Sequence, residues 1–160
     1  MRARLRSLEQ LMPFATAGEL IAQKDRPPVS VSPDATALAA LRDMETNDIG
    51  FLLVNEADKL VGVVSERDIA RGAILHHHTT VRQIMSTRVH TVAPQTKLPE
   101  CMRLMHREHI RHLPVVSDAG VLGVLSVRDL TGALIDRQER LLRRLHEERA
   151  ALLFPYPSSY

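Results

Sequence analysis

Four short apolar runs punctuate the chain, at 49–54, 60–64, 110–116 and 121–125. Each is bounded by polar or glycine-bearing residues, and Glu56-Ala57-Asp58-Lys59 and Ser117-Asp118-Ala119-Gly120 separate the runs within each pair. This spacing predicts buried strands joined two by two through tight turns. Ahead of each pair the period changes. Leu38, Ala40, Leu41 and Met44 recur at helical spacing, as do Leu98, Cys101, Met102 and Met105. Pro33 and Pro94 suit the first turn of these helices, where a missing N–H costs nothing. Further upstream, Thr16 with Glu19 and Thr80 with Gln83 have the spacing of a capping box opening a short helix, followed by brief β segments at 29–31 and 89–92. Ser65 and Ser126 open one more helix after each strand pair. The predicted order is β-α-β-β-α, twice.

The duplication is also visible residue by residue. With an offset of 61, residues 29–68 match 90–129 at 12 of 40 positions without a gap, where chance would give about two or three. Gly62-Val63-Val64-Ser65-Glu66-Arg67-Asp68 lies over Gly123-Val124-Leu125-Ser126-Val127-Arg128-Asp129. Upstream the offset becomes 64, so the first copy carries three extra residues within 22–28. One copy is too small to cover both faces of its sheet, and the two are expected to pack about a pseudo-twofold axis. The fold class expected is α+β. It comprises an N-terminal helix at 1–13, repeats at 14–78 and 79–135, and a C-terminal helix and tail at 136–160. Leu134, Leu141, Leu145 and Leu152 give that last helix a partial coiled-coil row.

Composition narrows the function classes. The chain of 160 residues carries 21 Lys plus Arg against 19 Asp plus Glu. Arginines gather near both ends, but Trp is absent and Phe and Tyr total five. That leaves little material for stacking on bases, so a solvated helix face is favoured over nucleic-acid binding. No apolar run approaches the length of a membrane span. The lone cysteine, Cys101, fits a reducing cytoplasm. No catalytic triad, paired-carboxylate site or P-loop stands out, and the expected role is not that of an enzyme.

The string Gly-x-x-Ser-x-Arg-Asp, present twice, admits two readings. Ser65 with Asp68, and Ser126 with Asp129, can cap a helix, worth about 1 kcal/mol each. The same strand-to-helix junction offers free N–H groups and a positive dipole end to a phosphate, and a carboxylate to a ribose diol. Gly62 and Gly123 would let a ligand approach the backbone closely. Capping accounts for one copy; the joint recurrence of Gly, Ser, Arg and Asp favours the ligand reading.

Together with Ile110-Arg111-His112-Leu113-Pro114-Val115-Val116, these strings resemble the signatures of a tandem pair of CBS domains over about residues 14–135. CBS domains are regulatory modules named after cystathionine β-synthase. The resemblance implies two clefts between the copies that take adenosine compounds: AMP, ADP, ATP, sometimes NAD or S-adenosylmethionine. It implies that Ser65, Asp68, Ser126 and Asp129 hold ribose and phosphate, and that Val29, His90, Val63 and Val124 line the adenine pocket. Arg111 and His112 are basic where the first copy has Gly50 and Phe51. Arg is a bidentate phosphate partner and His a titratable one. The alternative is that Arg111 pairs with a surface carboxylate and His112 is a half-buried imidazole.

The resulting expectation is a stand-alone CBS pair that signals by changed shape or assembly, as a homodimer or through an effector protein. A structural protein with vestigial clefts and a nucleic-acid binder are the alternatives. His76-His77-His78 and the His106, His109, His112 series are read as solvated or divergent rather than as metal ligands.

Overall fold

The computed structural model describes residues 16–73 and 79–153. The N-terminal helix expected at 1–13, His76–His78 and the tail after Pro155 lie outside them. The order is α1 (Ala17–Ile21), β1 (Ser30–Val31), α2 (Ala37–Asn47), β2 (Phe51–Glu56), β3 (Lys59–Ser65), α3 (Glu66–Ala73), α4 (Val81–Ile84), α5 (Leu98–Arg107), β4 (His112–Ser117), β5 (Gly120–Ser126) and α6 (Val127–Leu153). The first sheet runs β1-β2-β3 and the second β4-β5. The second copy's equivalent of β1 is reduced to a single parallel bridge, Val92 to Val115, in the register in which Val31 meets Val54.

Local chemistry sets the element ends. Thr16 and Glu19 form the expected capping box, with Thr16 N–H on Glu19 Oε2 at 2.8 Å and Glu19 N–H on Thr16 Oγ1 at 3.3 Å. At α4, Thr80 N–H donates to Gln83 Oε1 at 2.9 Å. Pro33 and Pro94 stand ahead of α2 and α5 rather than in their first turns. Thr36 is the N-cap of α2, accepting from Ala39 N–H at 3.1 Å, and Pro99 takes the early helical position in α5. Both long helices of the repeats end on a left-handed residue at equivalent positions, Asp48 (φ 52°) and His109 (φ 54°).

The short helices are exchanged between the repeats. Ala17, fully buried, belongs with Leu98, Cys101, Met105, Leu113, Val115 and Leu125 in the second repeat's core, and Leu20 and Ile21 pack on it. Val81, also fully buried, belongs with Ala40, Met44, Leu52, Val54 and Val64 in the first. Backbone bonds fix the exchange. Ala17 and Gly18 N–H reach the carbonyls of Thr96 and Pro94 at 2.8 Å, and Val81 and Arg82 N–H reach those of Ala35 and Pro33 at 2.9 and 2.8 Å.

The exchange gives the glycines of the duplicated string a different role from the one expected. A Cβ on Gly123 would lie 2.8 Å from Ile21 Cγ2, and one on Gly62 2.8 Å from Met85 Sδ and 3.0 Å from the Ser86 carbonyl. Ile21 ends α1, and Met85 and Ser86 follow α4. The close approach that glycine permits here is to the other repeat's helix segment.

At the C-terminal end, α6 runs unbroken for 27 residues. Leu130 is buried in the second core and Ala133 packs on it. The row expected at Leu134, Leu141, Leu145 and Leu152 is divided: Leu134 and Leu141 are half-buried, Leu145 is exposed, and the side chain of Leu152 lies outside the described residues. Among the described residues of α6 the exposed large apolar side chains are Val127 at its start and, further along, Ile135, Leu142 and Leu145, at 57%, 49% and 51%.

Candidate functional site

Alternation along the strands sends one set of side chains into the cores and the other to the opposite sheet face. Leu52, Val54 and Val64 belong to the first core, while Phe51 pairs across the ladder with Ser65 and Leu53 with Val63. In the second repeat His112 pairs with Ser126 and Pro114 with Val124. Cross-strand partners share a face, so Phe51, Leu53, Val63 and Ser65 form one surface and His112, Pro114, Val124 and Ser126 its counterpart. The two surfaces meet. Phe51 and His112, equivalent under the 61-residue offset, stack with ring centroids 4.6 Å apart and planes 21° apart. The pseudo-twofold axis passes between these rings, and each ring has a serine of the duplicated string beside it.

Both serine–aspartate pairs adopt one geometry. Asp68 Oδ2 accepts from Ser65 N–H at 2.9 Å and from Ser65 Oγ–H at 2.6 Å, and Asp68 N–H reaches back to Ser65 Oγ at 3.4 Å. The corresponding distances at Ser126 and Asp129 are 2.6, 2.7 and 3.2 Å. This is helix capping. In each pair Oδ2 takes both serine donors, so Oδ1 carries none of these bonds, and both aspartates are half-buried at the inter-repeat face. A carboxylate held this way keeps acceptor capacity for a diol.

Around this frame the clefts differ. Lys24 donates to Asp129 Oδ2 at 2.6 Å and to the Val124 carbonyl at 2.7 Å. Burial works against the Asp129 carboxylate, but the bonds from Lys24 and Ser126 outweigh it and hold its pKa below the usual value. His112 is shifted down mainly by burial. Lys24 and Arg111 push the same way and Asp129 opposes them. Arg111 is exposed and has neither a hydrogen bond nor an ion pair from its side chain among the described residues, so the surface-carboxylate pairing is not formed. In the first repeat the position of Arg111 is Gly50, and the Glu66 carboxylate lies 3.2 Å from where a Cβ on Gly50 would stand.

The remaining expected residues divide. Val63 and Val124 are half-buried and belong to neither core cluster, consistent with a place at the inter-repeat face. Val29 packs against the first core and its carbonyl accepts from Leu53 N–H at 3.2 Å. His90 Nε2 lies 3.6 Å from Glu108 Oε2, which engages its ring on the second repeat. Lys24 and Glu66 were missed from sequence. The one signal for Lys24 was its place in the three-residue excess of the first copy.

Two exchanged β-α-β-β-α repeats joined across their sheet faces, with a Ser–Asp corner on each side, define a tandem repeat pair. The CBS domain model matches residues 17–74 and 81–136, and the chain belongs to the CBS domain family. It is 34% identical over 122 residues to the mitochondrial CBS domain-containing protein CBSX3 of Arabidopsis thaliana, covering 71% of this chain and 59% of that protein. The chain thus spans under two thirds of that relative. Among solved structures it resembles the CBS domain NE2398, with 35% identity and a TM-score of 0.73 over 76% of this chain and 98% of the other. It also resembles a CBS domain protein of Pyrobaculum aerophilum complexed with AMP. There the identity is 32% and the TM-score 0.64, over 71% and 88% of the two chains.

Proposed function

We propose that the chain is a regulatory module that binds an adenine nucleotide or dinucleotide between its repeats and signals by a change of shape or assembly. The observation that carries the reading is the pair of Ser–Asp corners, each beside one ring of the Phe51–His112 stack with a carboxylate oxygen left over. The AMP complex of the Pyrobaculum aerophilum relative supports the ligand class. Asp68 and Asp129 would each accept the ribose diol, Ser65 and Ser126 would position ribose or phosphate, and Val63 and Val124 would face the base. The role is not that of an enzyme. A ligand bridging both repeats biases their relative angle by its differential affinity for the two arrangements. We place the protein in the cytoplasm, a reading supported by the buried free thiol of Cys101. No helix among the described residues is long and apolar enough to cross a membrane.

Assembly as a homodimer through α6 is part of the same proposal. Ile135, Gln138, Leu142 and Leu145 follow a 3–4–3 spacing along one exposed stripe, and a second copy of the same stripe is the complement it fits. Calorimetry with AMP, ADP, ATP and NAD at millimolar concentration tests the ligand reading. Binding should occur, and Asp68→Asn and Asp129→Asn should each weaken adenosine-containing ligands by about one to two decades, the worth of a charged acceptor. Asn keeps an acceptor oxygen, so the helix cap largely survives. Silence from all four nucleotides would defeat the reading; unaltered binding in both variants would return the motif to capping alone.

A further inference from the structure

The segment 22–28 joins α1, docked on the second core, to β1 in the first sheet. It touches both repeats. Arg26 Nη1 donates to the Asn47 carbonyl at 3.1 Å at the end of α2. Lys24 crosses to the other repeat and closes on Asp129 Oδ2 and the Val124 carbonyl. Its side chain is 33% exposed and that of Asp129 22%, so this ion pair is partly withdrawn from water. The other cleft has no such occupant: among the described residues Asp68 is bonded by Ser65 alone.

Resting on the ligand reading above, we propose that Lys24 makes the Asp129 cleft selective for phosphorylated over neutral adenosine ligands. Its ammonium holds Asp129 through Oδ2 and stands beside the Oδ1 left for a ribose diol, so a ligand that brings an anion next to that ribose finds a partner for the cation as well. A charge-assisted bond is about twice as strong as a neutral one. A neutral adenosine that takes Oδ1 shares a carboxylate whose charge the ammonium already draws on, and it offers that ammonium no anion in return. AMP takes the same oxygen with its ribose and gives the ammonium a phosphate partner besides. Arg111 lies one residue from His112, whose imidazole senses the charges of Lys24, Arg111 and Asp129. Its unpaired guanidinium supplies a second cation on the same side. The first repeat has Gly50 and the Glu66 carboxylate at the equivalent place, so the selectivity belongs to one cleft.

The test is calorimetry of adenosine and AMP with the intact chain, Lys24→Met and Lys24→Arg. The Met variant keeps the aliphatic stem at a partly exposed position, and thermal melting confirms that each variant is folded. In Lys24→Met, adenosine should bind more tightly and AMP more weakly at one site per chain, so that the AMP-over-adenosine preference falls by about one to two decades. Lys24→Arg should restore most of the preference. Adenosine binding by Lys24→Met where the intact chain binds none would support the proposal further. An unchanged ratio in Lys24→Met, with both ligands still bound, would overturn the role of Lys24 and leave the ligand reading standing. Silence of all three proteins toward both ligands would overturn the two together.

Discussion

If the glycines of the duplicated string exist to admit the exchanged helices, Gly123→Ala should be felt at Ile21 and not at a ligand. The added Cβ would stand 2.8 Å from Ile21 Cγ2 and 2.9 Å from Cδ1. Apolar carbons rest at about 3.5–4.0 Å, so Ile21 must retreat by several tenths of an ångström or turn off its rotamer. Overpacking of this kind costs about 1–3 kcal/mol, which for a chain of this size lowers Tm by roughly 2–4 °C per kcal/mol. Urea denaturation of Gly123→Ala, Ile21→Ala and the double variant measures the contact. Ile21→Ala removes both Cγ2 and Cδ1, so the double variant should be more stable than the sum of the singles predicts, by about 1 kcal/mol. Gly132→Ala is the control. It sits inside α6 with nothing within 4 Å of the new Cβ, and should stabilise by about 0.8–1 kcal/mol through helix propensity alone. Additivity of the two substitutions within about 0.5 kcal/mol would refute the packing role of Gly123.

Two further outcomes follow from the site and the terminal helix. His112 has its pKa lowered in the folded chain, chiefly by burial, so between that value and about 6.5 the unfolded chain binds more protons than the native one. Its contribution is complete above that window and is lost as pH falls through it, at no more than about 1.4 kcal/mol per pH unit. Urea midpoints between about pH 7.5 and 5 should flatten over this window in His112→Phe, and an identical slope in both proteins would defeat the assignment. On α6, Leu142→Gln with Leu145→Gln should leave monomer stability nearly unchanged, because both side chains are about half exposed. In a dimer the change removes four leucines from the seam, at about 1 kcal/mol each. The mass by light scattering should drop at micromolar concentration, and an unaltered mass would exclude this seam.

The repeat made most of the fold legible. A 61-residue offset fixes equivalent elements twice, so an error in one copy is checked against the other. Strand pairs, capping boxes and the helix starts after Ser65 and Ser126 are governed by neighbours three or four residues away, and the sequence displays those neighbours directly. The exchange of α1 and α4 was not legible, because a capping box shows that a helix begins but not which core its apolar side covers. The placement of Pro33 and Pro94 was misread for a related reason. Proline tolerates both a helix's first turn and the turn before it, and Thr36 competes for the cap. The leucine row of α6 named the right helix but only part of its exposed stripe, since a 4–3 grid does not say which flank meets the core. Lys24 and Asp129 are 105 residues apart, and no local pattern joins them.

The duplication also explains why function should reside in the departures from it. Two identical repeats about a twofold axis would present two identical clefts, and one ligand would fill both with the same preference. Here the symmetry is kept where the scaffold needs it: the Ser–Asp corners, the glycines beneath the exchanged segments, and the matching irregularity after Val54 and Val115 in the two ladders. It is broken beside the Phe51–His112 stack. One side has Lys24, Arg111 and the imidazole around Asp129; the other has the Glu66 carboxylate over Gly50 near Asp68. On the proposed reading, opposite charges at these places would give the two clefts different affinities for an anionic ligand. A pair with identical clefts would respond to ligand concentration with one threshold; on the proposed reading this pair would respond with two.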